Sequence, residues 1–255
     1  MLEPWSILAV IMAGLVAGFI NTLAGSGSLI TLPLLIFLGL PANVANGTNR
    51  IAILLQNVVG VSGFHRQKVL DAKRGAFLIL PICLGALLGA QLAVSLNEKV
   101  MRLTIAVIMF LMLGVIIFRP KRFLRGKEHP MTERPSWLEE LLYFGIGIYG
   151  GFIQAGVGIF LLASLVLGTG YDLVRANAVK LMLVLAFTPF ALFIFIYNNQ
   201  VNWVIGFVLA IGNMLGAWLG TKAAVRGGAE FIRWVLIAVV SVSASKLLWD
   251  VLHST

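Results

Sequence analysis

The chain has 255 residues, 60% hydrophobic and only 11% charged, with a mean hydropathy of +0.98 and a net charge of +9. Soluble domains carry about 25% charge, whereas residues 4–49, 141–171 and 181–221 carry none; at roughly 20 apolar residues per crossing, this excludes a soluble domain and indicates an all-α polytopic membrane protein. The basic excess does not indicate nucleic acid, because Lys and Arg gather in three short loops and form no basic face with stacking aromatics.

Residues 5–24 are long enough for a full crossing, about 30 Å at ~1.5 Å per residue. Gly25-Ser26-Gly27-Ser28 then breaks the helix. Residues 29–39 resume it as an arm of roughly 16 Å, too short to cross a core of ~30 Å. Pro41 and Asn43 mark a turn. Residues 44–64 are the next expected span, followed by a loop holding Arg66, Lys68, Lys73 and Arg74 against Asp71. Residues 75–96 form another, with Gly85-x-x-x-Gly89 as a small-residue face for close packing, and residues 100–118 a further one. Residues 119–136 form the longest polar stretch and read as a linker between a first membrane repeat (1–118) and a second (137–255).

The second half repeats the plan. Residues 137–157 are expected as a helix, Gly156 and Gly158 mark a break, and residues 159–168 form a short arm. Spans follow at 173–197, 203–221 (with Gly212-x-x-x-Gly216) and 231–251, with a loop at 222–230. Gly14-x-x-x-Gly18-Phe19-Ile20 matches Gly147-x-x-x-Gly151-Phe152-Ile153, so Asn21 falls opposite Gln154 and Gly25 opposite Gly158. Ala45-Asn46 matches Ala176-Asn177, which sets Asn49 opposite Lys180.

Loops 65–74, 119–136 and 222–230 are rich in Lys and Arg and are expected in the cytoplasm. The two halves then run in opposite senses, giving two inverted-topology repeats. Each is a broken helix hairpin plus three spanning helices, eight to ten membrane segments in all, with both termini outside. The lone cysteine, Cys83, lies in an apolar block, so no intrachain disulfide or cysteine metal site can form. The N-terminal region lacks the basic flank of a signal peptide, so the first helix is expected to remain in the mature protein.

Paired breaks at matching places in two halves point to a transporter site. Freed N–H groups at Gly25, Ser26, Gly27 and Ser28, and again at Gly156 and Gly158, together with the positive ends of the short arms, suit an anion. Asn21, Asn46, Thr48, Asn49, Gln154 and Asn177 add side-chain donors. Lys180 either snorkels to the interface or faces the cavity and adds charge, and in the second reading Lys180→Ala is expected to impair transport and leave the fold intact. Arg50 has two open readings: a cavity-facing cation, or one that snorkels to the outer interface. Tight helix packing is the competing reading of each Gly/Ser break. Every carboxylate lies in a loop or at a span end, so a cationic substrate would lack a counter-charge. Neither a zinc-protease nor a serine-hydrolase motif is present, and no membrane base could activate Ser26, which argues against an enzyme. No cofactor or metal is expected. The expected partners are a small anion and the bilayer, with a homo-oligomer left open.

The stretch Gly18-Phe19-Ile20-Asn21-Thr22-Leu23-Ala24-Gly25-Ser26-Gly27-Ser28-Leu29, then Leu40-Pro41 and Ala45-Asn46-Gly47-Thr48-Asn49-Arg50, resembles the TauE/SafE family of sulfite and organosulfonate exporters. The second-half motifs Gly151-Phe152-Ile153-Gln154-Ala155-Gly156-Val157-Gly158 and Ala176-Asn177-Ala178-Val179-Lys180 are similar to that family's repeat. Ser28 stands where members often have glycine. The resemblance covers nearly the whole chain. It implies a bacterial inner-membrane carrier for sulfur oxyanions such as sulfite, thiosulfate or sulfoacetate. Sulfur and export come from the resemblance; the anion comes from the residues.

Overall fold

A computed structural model describes residues 4–118, 135–168 and 170–253. The expected linker at 119–136 therefore lies outside the described residues except for its last two. Among the described residues every regular element is helical. The order is α1 (Pro4–Ala24), α2 (Ser28–Phe37), α3 (Ala42–Arg66), α4 (Ala72–Ala76), α5 (Ile79–Ser95), α6 (Glu98–Phe118), α7 (Trp137–Phe152), α8 (Val157–Leu167), α9 (Leu173–Tyr197) and α10 (Trp203–His253). Among the described residues, three stretches are long and apolar enough to cross a bilayer by length and composition: Trp5–Ala24, Leu173–Tyr197 and Trp203–Gly228. Large apolar side chains face outward on these and neighbouring helices, with Leu80 68%, Phe193 67% and Val204 68% exposed. Lipid, not water, is the matching solvent for such a surface.

Three boundaries differ from the sequence reading. The expected span at 75–96 is shorter: α4 ends at Ala76 and α5 starts at Ile79, which places Pro81 in the first turn, where its missing N–H has no helical partner to lose. The helix expected at 137–157 stops at Phe152, because Gln154 (φ 64) and Gly156 (φ 74) take left-handed backbone that a helix cannot continue through. The loop expected at 222–230 is helical through residue 227. Its Ala, Lys and Arg are good helix formers, and only Gly228 (φ 63, ψ −165) interrupts α10. The new helix starts are capped by side chains: Ser136 and Glu139 form a reciprocal capping box on α7, and Asp172 accepts from Val174 and Arg175 on α9.

Close packing is built on glycine in two matching places. On one side α1 lies along α10: Gly14 and Gly18 face the backbone of Leu209 and Asn213, and Gly212 and Gly216 face that of Ile11 and Leu15. On the other side α7 lies along α5: Gly85 and Gly89 face Phe144 and Ile148, and Gly147 and Gly151 face Ile82 and Ala86. A Cβ at any of these eight glycines would run into main chain, so each pair of helices meets backbone to backbone as small-residue faces do in membranes. Each broken helix thus packs on a helix of the other half. That exchange brings the two breaks together.

Candidate functional site

α1 ends at Ala24 because Gly25 (φ 75) turns left-handed, and α2 begins three residues later at Ser28. α7 ends at Phe152, the chain turns through Gln154 and Gly156, and α8 begins at Val157. Gly25 and Gly158 lie back to back; a Cβ on either would collide with the other's main chain. The N-termini of α2 and α8, each a positive dipole end, therefore meet at this junction. Beside it is a small cavity of about 10 Å³ lined by Asn21, Gly25, Ser28, Asn57, Gln154, Gly158 and Lys180, with an apolar wall of Ile53, Val157, Leu181 and Val184.

Lys180 is 1% exposed. Its ammonium has three N–H donors and uses all three: on Asn21 O and Thr22 O, each at 3.0 Å, and on Asn177 Oδ1 at 2.7 Å. Asn177 also donates to Leu23 O. A helix C-terminus leaves its last carbonyls unpaired and carries partial negative charge, so the end of α1 is a ready acceptor for a buried cation. Lys180 consequently has a structural task that the sequence did not disclose, and Lys180→Ala must disturb α1 as well as the cavity.

Arg50 does for α7 what Lys180 does for α1. It is fully buried, which removes the snorkelling reading, and it is not on the cavity wall. Its guanidinium donates to Gly150 O at 3.2 Å and Gly151 O at 2.5 Å and lies 4.6 Å above the Phe195 ring. Asn46, one turn earlier, donates to Phe152 O. The spatial counterpart of Lys180 is therefore Arg50, not Asn49. Among the described residues no carboxylate pairs with either cation, and the ion pairs at Arg102–Glu98 and Arg175–Asp172 are exposed.

The remaining sequence candidates divide. Asn49 stays within its own half, donating to Ser28 Oγ at 3.1 Å and accepting from Thr31 Oγ1 at 2.7 Å, which pins the first turn of α2. Gly27 presses on Ala17 and Asn21, and its N–H is already taken by Asn21 Oδ1 at 3.3 Å. Thr48 accepts from Asn202 N just before α10 and is distant in role from the cavity. Ser26 is buried, and no protein group meets its hydroxyl. Gly156 supplies the turn into α8. Sequence reasoning missed Asn57, which lines the cavity, and the buried pair Asn213–Gln56 between α10 and α3. Asn57 was within reach of it: positions 46, 50, 53 and 57 form one helical stripe, and Asn57 continues the polar run toward the breaks.

The family described as sulfite exporter TauE/SafE matches residues 10–247. Relatives include a probable membrane transporter protein, YfcA, of Escherichia coli (strain K12), 28% identical over 252 residues that cover 98% of this chain and 92% of the relative. A probable membrane transporter protein of Haemophilus influenzae is 29% identical over 246 residues, covering 93% and 92%. Another, ORF9 of a Sinorhizobium species, is 28% identical over 243 residues, covering 95% and 92%. These relatives are named as transporters rather than enzymes. No solved structure matches the chain.

Proposed function

The chain belongs to the sulfite exporter TauE/SafE family of membrane transporters, and from that premise we propose that it is a secondary carrier that exports a small sulfur-containing oxyanion across the bacterial inner membrane by alternating access. The observation that carries the anion is the junction: two helix N-termini and one buried ammonium beside a single cavity, and no carboxylate on its walls. The N–H groups at Ser28 and Gly158, with Asn21, Gln154 and Lys180, are the proposed ligands. Asn177 holds Lys180, and Asn46 and Arg50 hold α7; these are positioning residues.

Reciprocity supports two inverted repeats. Asn46 and Arg50 on α3 bind the carbonyl end of α7, while Asn177 and Lys180 on α9 bind that of α1. Each broken helix packs through paired glycines on a helix of the other half. A pseudo-two-fold axis in the membrane plane relates such halves and passes between the breaks. The basic loop at 65–74 and the termini then lie on opposite sides of the membrane. The cavity favours a gated carrier over an open channel, since about 10 Å³ holds roughly one water, and an oxyanion would need the breaks to move apart.

The test is uptake of radiolabelled sulfite into proteoliposomes, wild type beside Lys180→Ala, with thiosulfate, sulfoacetate, acetate and sulfate as competitors. Saturable wild-type uptake that is lost in a variant still folded by size-exclusion profile supports the carrier and its site. Flux that never saturates and ignores an opposing anion gradient refutes alternating access. Saturable uptake competed by acetate but by no sulfur anion refutes the substrate class.

A further inference from the structure

Two of the residues that line the cavity carry a buried acceptor oxygen that no protein donor meets. Asn57 is fully buried and Gln154 3% exposed, both line the cavity, and no protein donor reaches Asn57 Oδ1 or Gln154 Oε1. Amide orientation is set by hydrogen-bond networks, and here each nitrogen is engaged through one of its two N–H groups. Asn57 Nδ2 donates to Ile53 O at 2.7 Å, so exchanging its O and N would set oxygen against oxygen. Gln154 Nε2 donates to Thr188 Oγ1 at 2.9 Å, and that hydroxyl has spent its own proton on Val184 O at 2.6 Å, so it can only accept from Gln154. Each amide must therefore present a carbonyl oxygen that is left over.

A buried acceptor without a donor is costly. A site built from helix N-termini and an ammonium has no use for acceptors if its ligand is a bare oxyanion, since oxygen would face oxygen. A metal cation would satisfy them but would have to sit in the cavity that Lys180 lines. A water can donate to them while the cavity is empty, and when an anion displaces that water, one proton kept on the ligand can be shared between the two acceptors while the ligand remains an anion.

We propose, resting on the oxyanion reading above, that the cavity selects an oxyanion that still carries one proton, a monoanion of the hydrogensulfite kind, with Asn57 and Gln154 accepting from that proton while the helix N-termini and Lys180 take the unprotonated oxygens. Selectivity then runs against fully ionised dianions such as sulfate, and against sulfonates, which have the charge but no such proton. The transported species carries its proton with it, so an imposed pH gradient drives flux without any membrane carboxylate.

Lys180 is the titratable group on the cavity wall, and its own titration would also weaken anions at high pH. α1, α2 and α8 carry no titratable side chain. On α3, Arg50 is turned to the α7 carbonyls, and His65 and Arg66 stand in the last turn. On α7, Tyr149 donates to Ala155 O, Tyr143 is buried in the hydrophobic core, and Glu139 and Glu140 stand in the first turn. On α9, Arg175 pairs with Asp172 and Tyr197 ends the helix. The experiment must therefore separate ligand protonation from Lys180 titration. A sulfonate does this, because methanesulfonate stays a monoanion across the whole range.

The experiment is calorimetric binding of sulfite, methanesulfonate and sulfate to the detergent-purified full chain, below and above the second ionisation of sulfite. Two results are expected. The ratio of sulfite to methanesulfonate affinity falls about tenfold per pH unit above that ionisation, as the monoanion disappears, and Asn57→Leu and Gln154→Met each lower the ratio below it by about fivefold, the size of one lost hydrogen bond. Because both ligands are measured on one sample, a partly unfolded variant leaves the ratio readable, and the wild-type pH series decides the question alone if neither variant folds. A flat ratio, or sulfate binding as tightly as sulfite, overturns the proton-bearing ligand and leaves the anion carrier standing. Absence of binding by all three anions and by thiosulfate refutes the carrier reading itself.

Discussion

Replacing Arg50 with methionine separates a scaffold cation from a site cation. The guanidinium makes two charged hydrogen bonds, to Gly150 O and Gly151 O. Their loss leaves two buried carbonyls unmet, at about 1–3 kcal/mol each. Against this, methionine no longer buries a charge, which recovers part of a desolvation cost of several kcal/mol. The net expectation is a loss of about 2–3 kcal/mol out of a total stability on the order of 5–15 kcal/mol. For a chain of this size that lowers Tm by roughly 5–10 °C. Arg50→Lys keeps the charge but replaces a planar fork with a point donor, and should lose about half as much. Thermal melting of the purified protein in detergent reads both. In parallel, sulfite uptake by the Arg50→Met protein that remains folded should keep its KM within about twofold, because the side chain is not on the cavity wall. Lys180→Met should show a similar Tm loss and, in addition, a KM at least about tenfold higher. An Arg50→Met protein that melts like wild type, or whose KM rises as far as that of Lys180→Met, would refute this division of labour.

Gly25→Ala and Gly158→Ala should each abolish folded protein in size-exclusion profiles, since either methyl meets main chain and Gly25 also requires left-handed backbone; a monodisperse Gly25→Ala protein with normal uptake would disprove the close approach of the breaks. Asn49→Ala removes the links to Ser28 and Thr31 and should lower stability by about 1–2 kcal/mol, read as a Tm shift with Lys180-dependent binding retained. Topology is open to maleimide labelling in a Cys83→Ala background, Cys83 being the only native cysteine. Lys68→Cys should label only after spheroplasts are permeabilised and Asn198→Cys from outside without it; the reverse pattern would invert the assigned orientation.

The helices were legible in the sequence because hydrophobic stretches and their interruptions are written locally. The bounds of α9 coincide with the expected 173–197, and the first break falls where Gly25 and the two serines put it. The misplaced boundaries share a cause: they depend on one residue's backbone. A proline such as Pro81 fits either a helix interior or a first turn on sequence alone, and Gln154 gives no hint that it adopts φ 64. The site was half legible. Residue types and the pairing of halves named Lys180, Asn177, Asn21 and Gln154. The bonds of Lys180 to Asn21 and Thr22 span more than 150 positions and leave no periodic trace. Counting from Asn46 and Asn177 set Asn49 opposite Lys180, whereas the cation that reaches the other half stands one residue later, at Arg50. The arginine's longer reach and fork allow it to serve from that position.

This one-residue offset shows how two related halves can differ in purpose. Both helix ends need a cation, because each leaves carbonyls unpaired in a medium without water. Arginine answers that need with a rigid fork whose two bonds fix its plane, and Phe195 closes one face; such a group stays where it is. Lysine answers it with a point charge on a flexible stem whose three donors can be reassigned. Only the lysine lines the cavity. An arriving anion can draw on Lys180 without a change of partner, through charge alone, or can take one of its three donors while the other two keep α1 in place. The same anion at Arg50 would have to strip a bond from Gly150 or Gly151 at the end of α7. In the proposed carrier both halves line the cavity, but of the two buried cations the lysine is the one that meets the ligand and the arginine holds the frame against which it is met.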